Sequence, residues 1–361
     1  MPSASHQNHA STANQSQFWV DSLRALAVEE GFRHCGIAPA VEATGFSDLV
    51  RWIEAGYAGD MRYFHDRLPA YRHPDSVLAG VRSIVVLAYP YDAAASRALP
   101  PGYGKIARYA WAGVDYHDVV HPKLKRLCRF LENLQPNAKA RGVIDTAPLL
   151  EREFAQLAGL GWRGKNTLLL NKQLGSYFFL ACVLTDLDLP ADKPHVTSHC
   201  GNCTACLDAC PTDAFPQVGV LDASRCISYL TIEHREAIPI ERREEMGEWL
   251  FGCDICQEVC PWNRKPSRHA NPDVPSLEML ELASLFTMND DEFRKQFRHT
   301  PLWRAKRRGV LRNAAIILGN QGGKQAIEVL RTACQEEDPL VREAAQWALK
   351  KIVRRQQARS T

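Results

Sequence analysis

Nowhere in its 361 residues does this chain hold an apolar run approaching the roughly 20 residues that a membrane-spanning helix needs. That excludes a helical membrane protein and predicts a soluble one. The opening stretch, residues 1–17 (MPSASHQNHASTANQSQ), has neither an arginine nor an apolar core. It therefore lacks both a secretory and a twin-arginine leader, and its composition predicts a disordered lead-in. Even alternation of strand and helix is also missing, which argues against a doubly wound parallel sheet. Charge is nearly balanced at +3 overall, so its distribution along the chain says more than its sum. Cysteine is the residue the chain does not lack. Its 12 cysteines stand in a chain far too long for a small disulfide scaffold and fit a reducing cytosol.

Eight of those cysteines organise the sequence. Cys200-Gly-Asn-Cys203-Thr-Ala-Cys206-Leu-Asp-Ala-Cys210-Pro211 is the C-x2-C-x2-C-x3-C-P run of bacterial two-cluster ferredoxins, in which the fourth cysteine ligates the other cluster. Cys253-Asp-Ile-Cys256-Gln-Glu-Val-Cys260-Pro261 supplies the second half, and Cys226 stands alone between the two. Zinc sites come as separated pairs, and no pairing of these units explains three-residue gaps followed by proline. The crossover rule assigns Cys200, Cys203, Cys206 and Cys260 to one [4Fe–4S] cluster, and Cys210, Cys226, Cys253 and Cys256 to the other.

Upstream, apolar spacing predicts helices over Phe18–Glu30, after Ser47, and from about His121 to Leu134, because Pro122 is tolerated only in a first turn. Ile84–Ala88 reads as a buried strand, Val143–Asp145 as a short strand ending in a carboxylate, and Thr167–Leu170 and Tyr177–Leu184 as further strands. Past a proline-marked stretch around Pro266, Pro272 and Pro275, two similar helical pieces begin at Arg312 and Arg342, 30 residues apart, as in HEAT-type repeats. Two copies are too few for a free solenoid and should dock on the body. The expected fold class is α+β: a disordered 1–17, a mixed α/β domain over 18–190, a two-cluster ferredoxin-like domain over 191–265, a linker with helices over 266–301, and a HEAT-like helical domain over 302–361. The last carries 13 Lys and Arg against 5 Asp and Glu, a net +8 that leaves −5 on the rest. Arg304, Lys306, Arg307, Arg308 and Arg312 are therefore candidate phosphate contacts; a solvated helical face is the plainer account of the same charge.

Gly159-Leu-Gly161-Trp-Arg-Gly164 satisfies the dinucleotide fingerprint on paper, but a helix precedes it and a strand follows, the reverse of what the fingerprint requires. Asp145 has two readings, a general acid at a strand exit or the N-cap of the helix that opens near Pro148. Trp162-Arg-Gly-Lys165-Asn166 and the Arg108, Tyr109, Asp115, Tyr116, His117 patch are cofactor holders or ordinary polar turns. Cys35, Cys128, Cys182 and Cys334 read as buried packing residues.

Taken together, Val-Ile-Asp145-Thr-Ala-Pro-Leu-Leu-Glu-Arg, Gly-Leu-Gly-Trp-Arg-Gly-Lys-Asn, Gly-Ser-Tyr-Phe-Phe-Leu, Arg225-Cys-Ile-Ser-Tyr-Leu-Thr-Ile-Glu and Gly-Cys-Asp-Ile-Cys-Gln-Glu-Val-Cys-Pro-Trp-Asn resemble the epoxyqueuosine reductases, cobalamin- and iron–sulfur-dependent enzymes of tRNA modification. The likeness runs from about Phe18 into the tail. It implies base-off cobalamin between the N-terminal domain and the clusters, with Arg108, Tyr109, Asp145, Trp162, Lys165, Asn166, Ser176, Ser228, Cys253 and Asp254 around it and Asp145 as proton donor. It also implies tRNA with a GUN anticodon (Asp, Asn, His, Tyr) as substrate. A flavodoxin or ferredoxin as reductant, a monomeric state and a cytoplasmic setting complete the expectation. The D-x-H-x-x-G signature of histidine-ligated cobalamin is absent, since Asp115-Tyr-His117 continues to Val120 where glycine would stand. A reductive dehalogenase shares cobalamin and two cubes but leaves the basic tail unexplained. A plain electron carrier or tRNA-binding adaptor needs neither Asp145 nor the Trp162–Asn166 loop.

Overall fold

The computed structural model describes residues 5–91, 98–264 and 277–360, with side chains from 15 to 358. The strands described are β1 (His34–Pro39), β2 (Ser83–Pro90), β3 (Tyr103–Ile106), β4 (Ala140–Val143), β5 (Trp162–Arg163), β6 (Leu169–Leu170), β7 (Phe178–Thr185), β8 (Trp249–Phe251) and β9 (Met279–Glu281). An antiparallel sheet of order β1-β2-β7-β4 forms the N-terminal half. Its central strands read as unbroken apolar runs because both faces are covered. Val85 and Leu87 face the helices Ser5–Glu29 and Tyr116–Glu132 through Leu23, Ala27, Leu124 and Leu127. Ile84, Val86 and Ala88 face Phe154 and Ala155 of the helix Glu151–Leu157. The one-residue alternation of strand side chains sends neighbours to opposite cores.

Two expectations about helix starts are corrected. The first helix already begins at Ser5, in a segment whose composition predicts disorder; a polar run free of Gly and Pro extends a nucleated helix at little cost. Residues 1–4 of that expectation, and most of the proline-marked linker, lie outside the described residues. The helix expected from about His121 starts at Tyr116, with Pro122 in its interior, because Asp115 caps it by accepting the His117 N–H at 3.0 Å. The glycine run at Gly159 serves a hairpin: a Cβ at Gly161 would lie 2.0 Å from the Leu170 carbonyl across β5 and β6.

A small second sheet ties the predicted domains together. β3, from the N-terminal segment, pairs in parallel with β8 of the cysteine-rich segment and antiparallel with β9, which follows the linker. Over it lies the largest core, which runs from Ile106 through Tyr229, Leu250 and Phe251 to Ile352. The tail helices Lys306–Gln321 and Pro339–Ser360 dock on that body through Ala314, Ala315, Ala344 and Ala345, all fully buried. Gly319 lets them close, since a Cβ there would stand 2.7 Å from that of Ala348.

Arg312 is the hub of this docking. Its side chain is 1% exposed and donates to the carbonyls of Leu230 at 2.6 Å, His234 at 2.8 Å and Glu236 at 2.7 Å. Asn313 beside it donates to the carbonyls of Thr231 and Leu250, each at 3.0 Å. A buried acceptor stripped of its donor costs roughly 1–3 kcal/mol. Arg312→Ala should therefore destabilise the protein by about 3 kcal/mol or more, read as a lowered denaturant midpoint. Arg312→Lys should rescue little, because an ammonium cannot span three carbonyls. A midpoint within about 0.5 kcal/mol of wild type would show that the hub is dispensable.

Candidate active site

The eight motif cysteines fall into two groups. The Cys206 thiol is pushed up by burial and by the neighbouring charges of Cys260, Cys200 and Cys203. Cys256 is pushed up by burial, then by Cys226 and Asp254, with Cys206 and Cys210 farther down the order, and Cys253 by burial and by Cys226 and Cys256. Cys200 and Cys260 of the first group pack against Trp162, Leu170 and Trp262, and Cys253 of the second against Ala107, Tyr109, Ile227 and Trp249. Backbone N–H groups already point at sulfur: Ala214 donates to Cys210 at 3.4 Å, Tyr229 and Ser228 favour the Cys226 thiolate, and Trp262 and Asn263 that of Cys260. All 12 cysteines are free thiols.

Asp145 stands just past the end of β4 in the left-handed region, at φ 47°, a conformation that Asp tolerates better than most residues. It caps no helix, for the N-cap of Glu151–Leu157 is Leu150, which makes no side-chain cap bond. Its carboxylate instead takes the Tyr116 hydroxyl on Oδ2 and His117 Nε2 on Oδ1 at 2.9 Å, while its own N–H donates to Glu151 Oε1 at 2.9 Å. His117 Nδ1 lies 2.7 Å from Asp115 Oδ1. Burial and the charge of Asp145 raise the Glu151 pKa to about 8. Tyr109 joins this cluster to the cysteines: its ring is 6.2 Å from that of Tyr116, and it packs in the same cluster as Cys253.

Several residues expected around a cofactor also have partners within the chain. Arg108 donates to Asp254 at 3.1 Å and Glu258 at 2.7 Å beneath the surface. Lys165 Nζ holds the carbonyls of Gly201 at 2.8 Å and Cys203 at 2.9 Å. Asn166 reaches the Cys256 carbonyl at 3.4 Å, Ser176 Oγ donates to Gln257 at 2.9 Å, and Trp162 lies against Cys260 and Trp262. Motif spacing marked these positions without telling which element each would face. Tyr109, Asp145, Ser228 and Cys253 are each at least partly exposed.

The tail candidates divide as well. Arg312 is inside and touches no solvent-borne ligand, a correction that follows from its three carbonyl partners. Arg307 is held by Glu336 at 2.8 Å and Arg308 by Asp338 at 3.2 Å, so the tail's surplus charge is smaller at the surface than its count suggests. Arg304 is exposed, pairs with Glu233 at 3.0 Å, and feels the charge of Asp145. Lys306 is exposed over the Trp303 ring, 3.9 Å from its centroid, and burial and the nearby Arg235, Arg304 and Arg294 lower its pKa. Sequence reasoning missed Arg235, Arg294 and Glu233, which lie in unrelated segments and meet only in the fold. Among the described residues no helix is long and apolar enough to cross a membrane.

An electron-transfer framework that ends beside a hydrogen-bonded carboxylate defines an oxidoreductase of the iron–sulfur class. Residues 199–263 match the 4Fe-4S double cluster binding domain, residues 72–146 match "Epoxyqueuosine reductase QueG, DUF1730", and residues 302–360 match HEAT repeats. The chain is 40% identical over 340 residues to the epoxyqueuosine reductase of Pseudomonas aeruginosa, covering 92% of this chain and 94% of that one. A crystal structure of epoxyqueuosine reductase with a tRNA-Tyr epoxyqueuosine-modified stem loop superposes with a TM-score of 0.84 at 30% identity, over 92% of this chain and 89% of that one. The Bacillus subtilis enzyme, solved with its catalytic aspartate loop swung out of the active site, gives 0.83 at 29%, over 92% and 90%. This chain belongs to the epoxyqueuosine reductase family.

Proposed function

We propose that this chain reduces epoxyqueuosine to queuosine at the wobble position of tRNAs with GUN anticodons, those for Asp, Asn, His and Tyr, the final step of queuosine biosynthesis. One juxtaposition carries the reading: Asp145, held by Tyr116 and His117, lies across Tyr109 from Cys253. A relative solved with a catalytic loop swung out of its active site, and another holding a modified stem loop, support it.

The donor sets fit the groups this chemistry needs. Among the described residues no three His, Cys, Asp or Glu donors converge on a single metal ion. Looser fours are what a cube requires, because each thiolate grips a different iron. Trp162 Nε1 is buried without a partner beside Cys260, where a cluster sulfur would accept its hydrogen bond. One [4Fe–4S] cluster is assigned to Cys200, Cys203, Cys206 and Cys260, the other to Cys210, Cys226, Cys253 and Cys256. Base-off cobalamin is assigned beside Asp145: Tyr109, Tyr116 and Phe179 offer ring faces and edges there, and His117 has both nitrogens engaged by carboxylates and none left for cobalt. Arg108, Tyr109, Asp145, Trp162, Lys165, Asn166, Ser176, Ser228, Cys253 and Asp254 are the residues that would hold it. When bound, cobalamin supplies electron delivery to the strained ring that no side chain can provide.

Opening the epoxide to an alkene takes two electrons and two protons and releases water. Asp145 protonates the departing oxygen, which avoids expelling a bare hydroxide into a dry site. Arg235, Arg294, Arg304 and Lys306 form an exposed positive patch near the mouth of the site, suited to stem phosphates while the wobble base leaves its stack. A flavodoxin or ferredoxin as donor, a monomeric state and a cytoplasmic location complete the proposal. Anaerobic loading with iron, sulfide and cobalamin, then incubation with reductant and epoxyqueuosine-containing tRNA, should convert the nucleoside to queuosine. A fully loaded protein that leaves it unchanged would refute the assignment.

A further inference from the structure

We propose that His117 is the proton store of this site, passing its Nε2 proton to Asp145 as Asp145 protonates the substrate oxygen. The inference rests on the reductase reading and adds to it a residue that acts through the acid. Its basis is the arrangement of acceptors around one imidazole. Nδ1 is 2.7 Å from Asp115 Oδ1 and Nε2 is 2.9 Å from Asp145 Oδ1. A neutral imidazole would turn one lone pair toward a carboxylate oxygen, so the arrangement holds two protons on the ring or one on a neighbouring carboxyl. Asp115 also accepts the His117 backbone N–H at 3.0 Å, at the positive end of a 17-residue helix, which favours its anion. The mobile proton is therefore shared between His117 and Asp145.

The other groups facing this pair are arranged to keep the proton there. Tyr116 stacks on His117 with ring centroids 4.3 Å apart and donates its hydroxyl to the second oxygen of Asp145. His121 lies one helical turn on, 5.7 Å away ring to ring. Glu151 takes the Asp145 N–H from the opposite side, and the Arg304–Glu233 pair faces Asp145 from the cysteine segment and tail. Hydrogen bonds to Asp115 and Asp145 lift the His117 pKa to about 10. The ring keeps 27% of its side-chain surface open to solvent, so it can be refilled while Asp145 is covered by the substrate base.

The step balances as follows. The carbon–oxygen bonds of the epoxide break with two electrons from the external reductant. The Nε2–H bond breaks and its proton forms an O–H bond on Asp145, and that O–H bond breaks in turn as the proton passes to the departing oxygen, leaving Asp145 anionic and His117 neutral. Neutral His117 then recovers a proton from water, and a second pass supplies the proton that completes the water product.

The test uses enzyme loaded with both clusters and cobalamin, and compares single-turnover rates across pH. His117→Gln keeps an N–H donor toward Asp145 but carries no titratable proton. It should lose roughly 10²-fold in rate, with an unchanged corrinoid spectrum and tRNA Kd. The wild-type rate should hold as pH rises and fall only as the imidazole loses its proton, near 10. Asp115→Asn, which still caps the helix, should move that fall to lower pH. Nitrogen NMR of the His117 ring in the wild-type holoenzyme should show both nitrogens protonated at pH 7. His117→Gln at the wild-type rate and pH profile would reduce His117 to a tether and overturn the proposal. So would a neutral ring at pH 7, a reading that stands even if the glutamine variant does not fold. A wild-type enzyme that makes no queuosine would instead fail the reductase assignment itself.

Discussion

Asp145→Ala should retain both clusters, cobalamin and tRNA affinity while its turnover falls by roughly 10²–10⁴-fold, the usual contribution of a positioned general acid. The carboxylate is bound by side chains and bonded to nothing that holds the fold: Tyr116 and His117 both come from the first turn of one helix, and 44% of its side-chain surface is open. Alanine also relieves no packing, because no other side chain hydrogen-bonds to that carboxylate among the described residues. Its cost to folding is the left-handed backbone at φ 47°, which alanine adopts less readily than aspartate. A small drop in melting temperature is therefore expected alongside the large kinetic loss. A variant that turned over normally and merely melted earlier would remove Asp145 from the chemistry.

Cys226→Ser should strip one cube and spare the other, taking iron from about eight per chain to about four and abolishing turnover. Cys226 alone among the eight comes from neither motif, and its backbone stands at the junction of the Ala223–Arg225 turn and the Ile227–Ile232 helix. Its charge neighbours are Cys210, Cys253 and Cys256, while Cys206 answers to Cys260, Cys200 and Cys203. The group that would be lost is the one packed with Tyr109, on the substrate side of the framework. Electrons would then reach the surviving cube and stop. Wild-type protein with four irons after careful anaerobic loading, or a serine variant that keeps eight, would contradict the two quartets.

Much of this was legible in the residues because the signals were local. The cysteine spacing is a covalent constraint on a short loop, and Ile84–Ala88 is too apolar to be anything but covered on both faces. Other features depended on partners far away in the chain. β8 and β9 are three residues long, and a strand that short exists only because β3 lies between them, so no periodicity announces it. Arg312 reads as surface charge until three carbonyls of another segment close around it. That Lys165 and Asn166 also fasten the N-terminal domain to the cysteine loops could not be read from their spacing. The Asp115–His117–Asp145 array was half visible as a polar patch. What the sequence could not supply was the turn at Asp145 that swings a carboxylate from the end of β4 onto a helix it does not adjoin in the chain.

The three-stranded sheet has a consequence for biosynthesis. β3 is made early, yet both of its neighbours emerge from the ribosome far later, β8 just before the last three motif cysteines and β9 after all eight. Until β9 arrives, the seam between the two halves has no closing strand, and contacts of such long sequence separation form slowly. The thiols nearest the seam thus pass through a period in which assembly machinery can still reach them. Docking of the last helices ends that period, so the order of translation leaves an interval for iron delivery before closure.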